Sequence, residues 1–285
     1  MRVALINTMD MKGGAARAAF RLHKGLRGAG IDSTYYVRDQ TNPDPTIRRF
    51  VPDPAAEHRR LTEKAQRQAA YDAYAATRSP DIELFSQERV DGDENFFIQM
   101  PRADVINLHW VAGFVDYHTF FTSRITKPVV WTLHDMNPFT GGCHYDQGCN
   151  KFKTACTACP LLGTTDPNDL SHRVFSAKAE ILRQWPRTML HIVTPSRWLA
   201  EEARNSTLFG RLEATVIPNS LETDVFVPMD KAAARAKLKL PQDARVVLFV
   251  SNHIKLARKG FHDLVHALSL VPDARIGSVY PRLTA

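Results

Sequence analysis

Short apolar runs alternate with amphipathic stretches along most of the chain. Continuous apolar runs are typical of strands buried on both faces of a parallel sheet, and they occur at residues 3–7, 105–108, 129–133, 192–194 and 214–217. A helix is predicted after the first run, because Ala15, Ala19, Leu22 and Leu26 recur at helical spacing. Further predicted elements are a strand at 33–37, an exposed helix over 57–76 and a helix over 196–206. The alternation predicts an α/β domain with a mostly parallel sheet.

A proline-containing stretch divides the chain. Residues 218–244 contain three prolines and one short Ala/Lys-rich helical segment, so we predict a linker between a first domain at 1–217 and a second at 245–285. The second domain begins with a predicted strand at 246–250, followed by a loop ending at Gly260 and a helix over 261–270. It holds 41 residues, fewer than the roughly 50 of an ordinary domain. We therefore expect the second domain to be incomplete.

Composition narrows the class of protein. Hydrophobic residues make up 44% and charged residues 24% of the 285 residues, which excludes a disordered or fibrous chain. The net charge of +7 suits an anionic partner. The basic helix over 57–76 is better explained as a solvated face than as a nucleic-acid site, so no nucleic acid is expected. No apolar run has the length of a signal peptide or a membrane span, and a cytoplasmic protein with reduced thiols is predicted.

Polar residues stand at positions where α/β sheets bind ligands. His134 and Asp135 follow the strand at 129–133, and His109 follows the strand at 105–108. Ligands of open α/β sheets bind beyond the carboxyl ends of the strands, so both histidines are candidates, although a lone histidine is more often structural. His134 is the stronger of the two.

A glycine pair lies between the first strand and the first helix. Gly13 and Gly14 would let the backbone approach an anionic ligand, although taken alone the pair is better explained by a tight turn. The pair does not form the GxGxxG dinucleotide fingerprint, since Ala15 and Ala16 follow directly. Arg17, one turn into the helix, either pairs with an acidic ligand or is solvated.

All four cysteines fall in a predicted insertion at residues 141–160. Cys143, Cys149, Cys156 and Cys159 have the spacing C-x5-C-x6-C-x2-C, in which the last pair has good metal-ligand spacing and the first is looser than usual. A structural Zn²⁺, one or two disulfides, and free thiols are the alternatives. Zinc ranks first, because a cytosolic protein disfavours disulfides. Its role would be structural, since four thiolates leave no open coordination position.

Three cations precede the predicted helix over 261–270. Lys255, Arg258 and Lys259 stand beside its amino terminus, where they could hold a diphosphate. Composition alone favours a solvated basic loop.

Together these segments resemble a family of enzymes. The string from Lys12 to Arg17, the run Ile-Asn-Leu-His-Trp ending at Trp110, and above all the run from Trp131 to Tyr145 with its cysteine loop are similar to retaining glycosyltransferases of family 4. Further matching segments are Thr-Pro-Ser at 194–196, Ile-Pro-Asn at 217–219 and Arg-Lys-Gly at 258–260. The closest resemblance is to the polysaccharide-biosynthesis members of that family, which have the GT-B fold.

The resemblance implies a fold and a reaction. It implies a Rossmann-like parallel sheet with helices on both faces as the acceptor-side domain, and an incomplete second Rossmann-like domain for the donor. The reaction would move a hexose, with retention, from a nucleotide-diphosphate sugar to a polysaccharide or lipid-linked acceptor. Peripheral membrane association would place the protein at the inner face of the plasma membrane. No cofactor is required for such catalysis. The alternative is a non-catalytic acceptor-binding or interaction module.

The resemblance also implies roles for individual residues. His134 would contact the transferring sugar as the catalytic residue. Gly13, Gly14, Lys255, Arg258 and Lys259 would bind the donor and its phosphates, and Arg17, His109 and Asp135 would lie on the acceptor side.

The sequence departs from the family pattern at several positions. Asn137 stands where tryptophan is common, Glu222 stands where aspartate is common, and Ser-Asn-His at 251–253 replaces the usual arginine. The paired-glutamate E-x7-E segment of the donor domain has no counterpart, since Glu222 is the last glutamate in the chain.

Overall fold

The computed structural model describes residues 1–90, 93, 95–123, 125–243, 245–251 and 253–271. The chain forms two compact units, Met1–Val225 and Phe226–Ala285. The division falls inside the predicted linker at 218–244.

The first unit is built on one parallel sheet. Its strands are β1 (Arg2–Met9), β2 (Asp32–Asp39), β3 (Ile47–Arg49), β4 (Val105–Leu108), β5 (Val129–Thr132), β6 (Leu190–Thr194) and β7 (Ala214–Val216). They lie side by side in the order β3-β2-β1-β4-β5-β6-β7, and every neighbouring pair is parallel. This arrangement confirms the predicted α/β, Rossmann-like fold. It also brings the carboxyl ends of all seven strands to one edge of the sheet.

Helices connect the strands. In the first unit they are α1 (Gly14–Gly28), α2 (Pro54–Asp72), α3 (Asn95–Gln99), α4 (Tyr117–Thr122), α5 (Leu170–Gln184) and α6 (Arg197–Asn205). Helix α1 buries Ala16, Ala19 and Phe20, on one of its faces. Ser196 caps α6 as its position predicts, accepting a hydrogen bond from the Leu199 amide at 3.2 Å. None of the helices in the described ranges combines the length and the apolar character that crossing a membrane requires.

The core lies on both faces of the sheet. Along β1, Leu5 packs into one buried cluster with Tyr35 and Phe20, while its neighbour Ile6 packs into another with Trp131. Successive strand residues point to opposite faces, so this alternation shows that β1 is covered on both sides. Both faces being covered is the reason that the strand sequences are continuously apolar.

The structure departs from the sequence predictions at two segments, the first of which is a strand that was not predicted. β3 lies in a polar stretch, residues 42–54, and only Ile47 of its three residues is buried. It is a short edge strand with exposed arginines, a pattern that protects a sheet edge from pairing with other chains. Because its residues are mostly polar, the apolar pattern does not predict it.

The strand predicted at 246–250 is wrong, because residues 246–250 have no regular secondary structure in the second unit. A strand needs a neighbour to pair its backbone groups, and none of the described residues of that unit forms a strand. The second unit instead contains α7 (Lys231–Lys237) and α8 (Phe261–Ser269). The latter confirms the helix predicted over 261–270.

Candidate ligand site at the carboxyl edge of the sheet

The two predicted histidines are in direct contact. β4 and β5 are neighbours, so the residues that follow them meet at the sheet edge. His109 Nδ1 lies 3.0 Å from His134 Nε2, and the two rings stack with centroids 5.3 Å apart. His109 is buried and its Nε2 lies 3.1 Å from Asn107 Oδ1. His109 therefore contacts His134 rather than solvent.

Asp135 organises the side chains around the histidines. Its Oδ2 accepts hydrogen bonds from His144 Nδ1 at 2.6 Å and from Trp110 Nε1 at 3.0 Å. Its Oδ1 accepts one from the Asn137 amide at 2.9 Å. With all these partners and with little exposed surface, Asp135 fixes the loops that follow β4 and β5. Its hydrogen bonds therefore make Asp135 a residue that positions its neighbours His144, Trp110 and Asn137.

Burial sets the charge of this region. Burial lowers the pKa of His134 to about 4, against the opposing effect of the Asp135 carboxylate. Burial and the neighbouring His134 lower the pKa of His109 well below its usual value. Burial raises the pKa of Asp135, but the contacts from His144 and the hydrogen bonds outweigh it, so that the pKa is lowered overall. At neutral pH both His109 and His134 are uncharged and Asp135 is ionised.

The loop between β1 and α1 is held by a buried carboxylate. Asp10 accepts hydrogen bonds from the backbone amides of Thr41 and Asn42, both at 2.6 Å. Gly13 follows with φ +93°, and a Cβ added at Gly13 or Gly14 would meet nothing within 4 Å. Gly14 is the first residue of α1, so its backbone faces open space at a helix amino terminus.

Arg17 lies on the exposed surface of α1, and it has no ion-pair partner among the described residues. Its backbone amide donates to the Gly13 carbonyl at 3.2 Å. One turn further, Arg21 pairs with Glu222 at 2.8 Å. Arg17 is thus a cation next to the glycine loop, with its charge available to a ligand.

A buried lysine supports the loop that carries Asp135. Lys178 of α5 has no exposed surface, and its Nζ donates to the carbonyls of Asn137 at 2.6 Å and Thr140 at 3.1 Å. Burial lowers its pKa to about 8, against the effect of the Glu88 carboxylate. Sequence analysis missed Lys178, because a lysine on a helix is ordinarily solvated.

Asn107 and His144 were also missed as parts of the site. Asn107 stands inside an apolar run, where a polar residue needs buried partners, and that is a usable signal. His144 lies in the cysteine insertion, and no local pattern links it to Asp135.

The four cysteines do not form a metal-binding group in this structure. All four thiols are free; Cys143, Cys156 and Cys159 are buried and Cys149 is half-buried. Nowhere in the described ranges do three His, Cys, Asp or Glu side chains form a group that could hold a metal ion. Cys143 and Cys159 instead share an apolar cluster with Leu162, and burial raises the pKa of Cys156 to about 12. The arrangement fits buried thiols in an ordered loop, and zinc stays a prediction.

The predicted diphosphate cations belong to the second unit. Lys255, Arg258 and Lys259 are exposed. Gly260 follows them in a left-handed conformation, φ +72°, and α8 begins at the next residue. Their proposed role toward a phosphate stays a prediction.

A cavity of about 130 Å³ opens beside the ends of β2 and β3. Buried phenylalanines, among them Phe50 and Phe114, form part of its lining. Its rim carries the ion pair between Arg60 and Glu57, at 2.6 Å. Gly113, three residues after Trp110, also lines it, so one loop reaches both the cavity and Asp135. An apolar floor with a few fixed polar groups is the usual form of a small-molecule site.

Comparison with known proteins adds a distant relative. No family model matches the chain. The chain is similar to the protein named "Putative colanic acid biosynthesis glycosyl transferase WcaC" of Escherichia coli (strain K12), with 25% identity over 233 residues. The match covers 78% of this chain and 55% of the relative, so the chain spans about half the length of that protein.

Proposed function

We propose that the protein takes part in glycosyl transfer, moving a sugar from a nucleotide-diphosphate donor to a saccharide or lipid-linked acceptor in polysaccharide biosynthesis. The observation that carries the proposal is the similarity to a relative named as a glycosyl transferase, together with a site at the sheet edge where such a ligand would bind. Fold alone would not support it, because α/β sheets of this kind serve many reactions. The finer assignment is to retaining enzymes of family 4 with the GT-B fold, acting on hexoses.

The first unit has groups that would bind two parts of the donor, its phosphate and its sugar. The open backbone at Gly13 and Gly14 and the charge of Arg17 would stabilise a phosphate. His134, uncharged at neutral pH, would contact the sugar. A departing diphosphate gains negative charge while the sugar becomes oxocarbenium-like, so fixed donors aimed at the phosphate lower the barrier.

The cavity beside β2 and β3 would hold part of the acceptor. Its aromatic floor suits the apolar face of a sugar ring, and its rim of paired charges suits hydroxyl groups. The loop that carries Trp110 and Gly113 would connect this position with the reacting centre. Within the second unit taken by itself, Lys255, Arg258 and Lys259 would bind a diphosphate.

Binding and turnover of nucleotide sugars test the proposal. The full chain is titrated calorimetrically with UDP-glucose, UDP-galactose, GDP-mannose and GDP-fucose, and release of UDP or GDP is followed with and without lipid-linked saccharides. We expect at least one donor to bind and to be turned over, and His134→Ala to reduce turnover. Lys64→Ala, on the exposed face of α2, is the control and should change neither. Binding without turnover favours a non-catalytic module, and absence of both contradicts the proposal.

A further inference from the structure

The side chain of Asn107 has only one orientation that its surroundings allow. Its Nδ2 lies 3.0 Å from the Val130 carbonyl and 2.9 Å from Thr132 Oγ1. A carbonyl oxygen can only accept, so the nitrogen of the amide must face Val130 and the oxygen must face the opposite way. That oxygen lies 3.1 Å from His109 Nε2. Asn107 therefore presents an acceptor to His109.

The orientation of Asn107 fixes where both imidazoles carry their protons. His109 Nε2 must be protonated to donate to Asn107 Oδ1, and an uncharged ring then has a lone pair at Nδ1. That lone pair faces His134 Nε2 at 3.0 Å, so His134 must donate from Nε2. The lowered pKa of each ring agrees with one proton per ring. In the series of hydrogen bonds His134–His109–Asn107–Val130, each residue therefore donates to the next.

The remaining nitrogen of His134 is free to act on a ligand. Its Nδ1 has no hydrogen-bond partner in the described part of the chain, and it is not one of the buried unpartnered atoms found there. An uncharged imidazole with its proton at Nε2 can only accept at Nδ1. A hydroxyl can donate to such a nitrogen, whereas an ionised phosphate oxygen cannot.

We propose that Asn107 and His109 are positioning residues that fix His134 as a hydrogen-bond acceptor at Nδ1, so that the group bound there is a sugar hydroxyl and not a phosphate. The identity of the ligand rests on the proposed function. The proton positions do not, because they follow from contacts within this chain, those of Asn107 and of the uncharged His109. The two parts can therefore fail separately.

Nitrogen NMR of the imidazoles tests the proton positions. Long-range ¹H–¹⁵N spectra of the ¹⁵N-labelled full chain separate a protonated ring nitrogen from a lone-pair nitrogen, and His109→Phe and His134→Phe assign the two rings. We expect both rings to be protonated at Nε2 with the lone pair at Nδ1 at pH 7. A proton at Nδ1 of either ring, or a doubly protonated ring, would overturn the proposal whatever the protein binds.

Variants test whether Asn107 and His109 do the positioning. In Asn107→Leu or His109→Phe we expect the form of His134 protonated at Nδ1 to become detectable. Thr132→Val is the matched control: it removes one partner of Asn107 but leaves the Val130 carbonyl, so the proton positions should not change. If His134 keeps a single form in both variants, Asn107 and His109 do not position it. Should Asn107→Leu fail to fold, His109→Phe alone decides.

Paired ligands test the hydroxyl contact. Binding of UDP-glucose and GDP-mannose is compared with binding of UDP and GDP, which lack the sugar. His109→Phe should weaken the sugar-bearing ligand that binds the wild type by about two- to ten-fold, as expected for one neutral hydrogen bond, and leave its free diphosphate unchanged. An equal loss for the free diphosphate would place a phosphate at His134 and overturn the assignment. If neither these four ligands nor UDP-galactose and GDP-fucose bind the wild type, the proposed function fails while the NMR result stands.

Discussion

The buried charge of Lys178 gives the most specific stability prediction. Replacing it by methionine, Lys178→Met, keeps the length of the side chain but removes both hydrogen bonds to the carbonyls of Asn137 and Thr140. The Thr140 carbonyl has no other donor in the described part of the chain, so it becomes a buried unpaired acceptor. An unpaired buried group costs about 1–3 kcal/mol. We therefore expect the free energy of unfolding to fall by about 1–3 kcal/mol at pH 10.5, where Lys178 is uncharged in the folded chain and the variant loses only its hydrogen bonds.

The loss should also depend on pH. The folded-state pKa of Lys178 is about 8 and its unfolded value is about 10.5, so between these values the unfolded chain binds more protons. Wild-type stability therefore gains from this group as pH rises from 8 to 10.5, by about 3 kcal/mol at 1.36 kcal/mol per pH unit. The variant lacks this gain. The free energy of unfolding of the wild type minus that of Lys178→Met should thus rise by about 3 kcal/mol between pH 8 and 10.5.

Urea unfolding at a series of pH values between 7 and 10.5 measures this difference. The thiol of Cys156, whose pKa burial raises from 9 to about 12, also changes stability above pH 9, but wild type and variant share it, so it cancels in the difference. Lys64→Met, on the exposed face of α2, serves as the control and should show a difference near zero at every pH. A difference between wild type and Lys178→Met that stays constant with pH would refute the reasoning, because Lys178 would then titrate alike in both states.

Three further predictions concern two glycines of the cysteine insertion, a buried histidine and the cysteines. Gly142→Ala should destabilise the fold by about 3 kcal/mol in urea unfolding, because Gly142 has φ +123° and an added Cβ would lie 2.4 Å from the Phe85 ring. The control Gly148→Ala, at φ +82° with nothing within 4 Å of the Cβ, should cost only about 1–2 kcal/mol. Equal losses in the two variants would contradict the steric argument. Burial lowers the pKa of His23 to about 4, so its contribution of about 3 kcal/mol to the free energy of unfolding is lost as pH falls from 6.5 to 4. The variant His23→Gln should lack this part of the pH dependence of stability. A pH dependence equal to that of the wild type would contradict the assignment to His23. Metal analysis of the reduced protein tests the zinc prediction, and less than about one zinc per two chains would count against it.

The strands could be predicted because parallel sheets impose a simple pattern. A strand covered on both faces is apolar along most of its length, and β1, β4 and β5 follow that rule. β3 could not be found in this way, because an edge strand buries little of its surface. The apolar run at 246–250 is the opposite case, because its residues predict a strand although none forms there. A strand also needs a neighbouring strand that pairs with its backbone groups.

The site could be predicted only in part. His109 and His134 were found because each follows a predicted strand, which is where ligands bind. Their mutual contact depends on β4 and β5 being neighbours, with Leu108 opposite Trp131, and the sequence does not contain strand order. Lys178 lies more than thirty residues from the loop it supports. A contact over that distance has no local pattern that would identify it.

The claim that the glycine loop at the sheet edge binds a nucleotide-diphosphate sugar is tested most directly by comparing Gly14→Ala with Gly25→Ala. Both glycines lie in α1, and a Cβ at either would meet nothing within 4 Å, so neither substitution should reduce stability. The measurement is the affinity of each variant for the nucleotide sugar that the wild type binds best. The account predicts at least about a ten-fold loss for Gly14→Ala, whose methyl group would stand between the backbone and the phosphate, and no change for Gly25→Ala. Equal affinity of both variants and the wild type would contradict it.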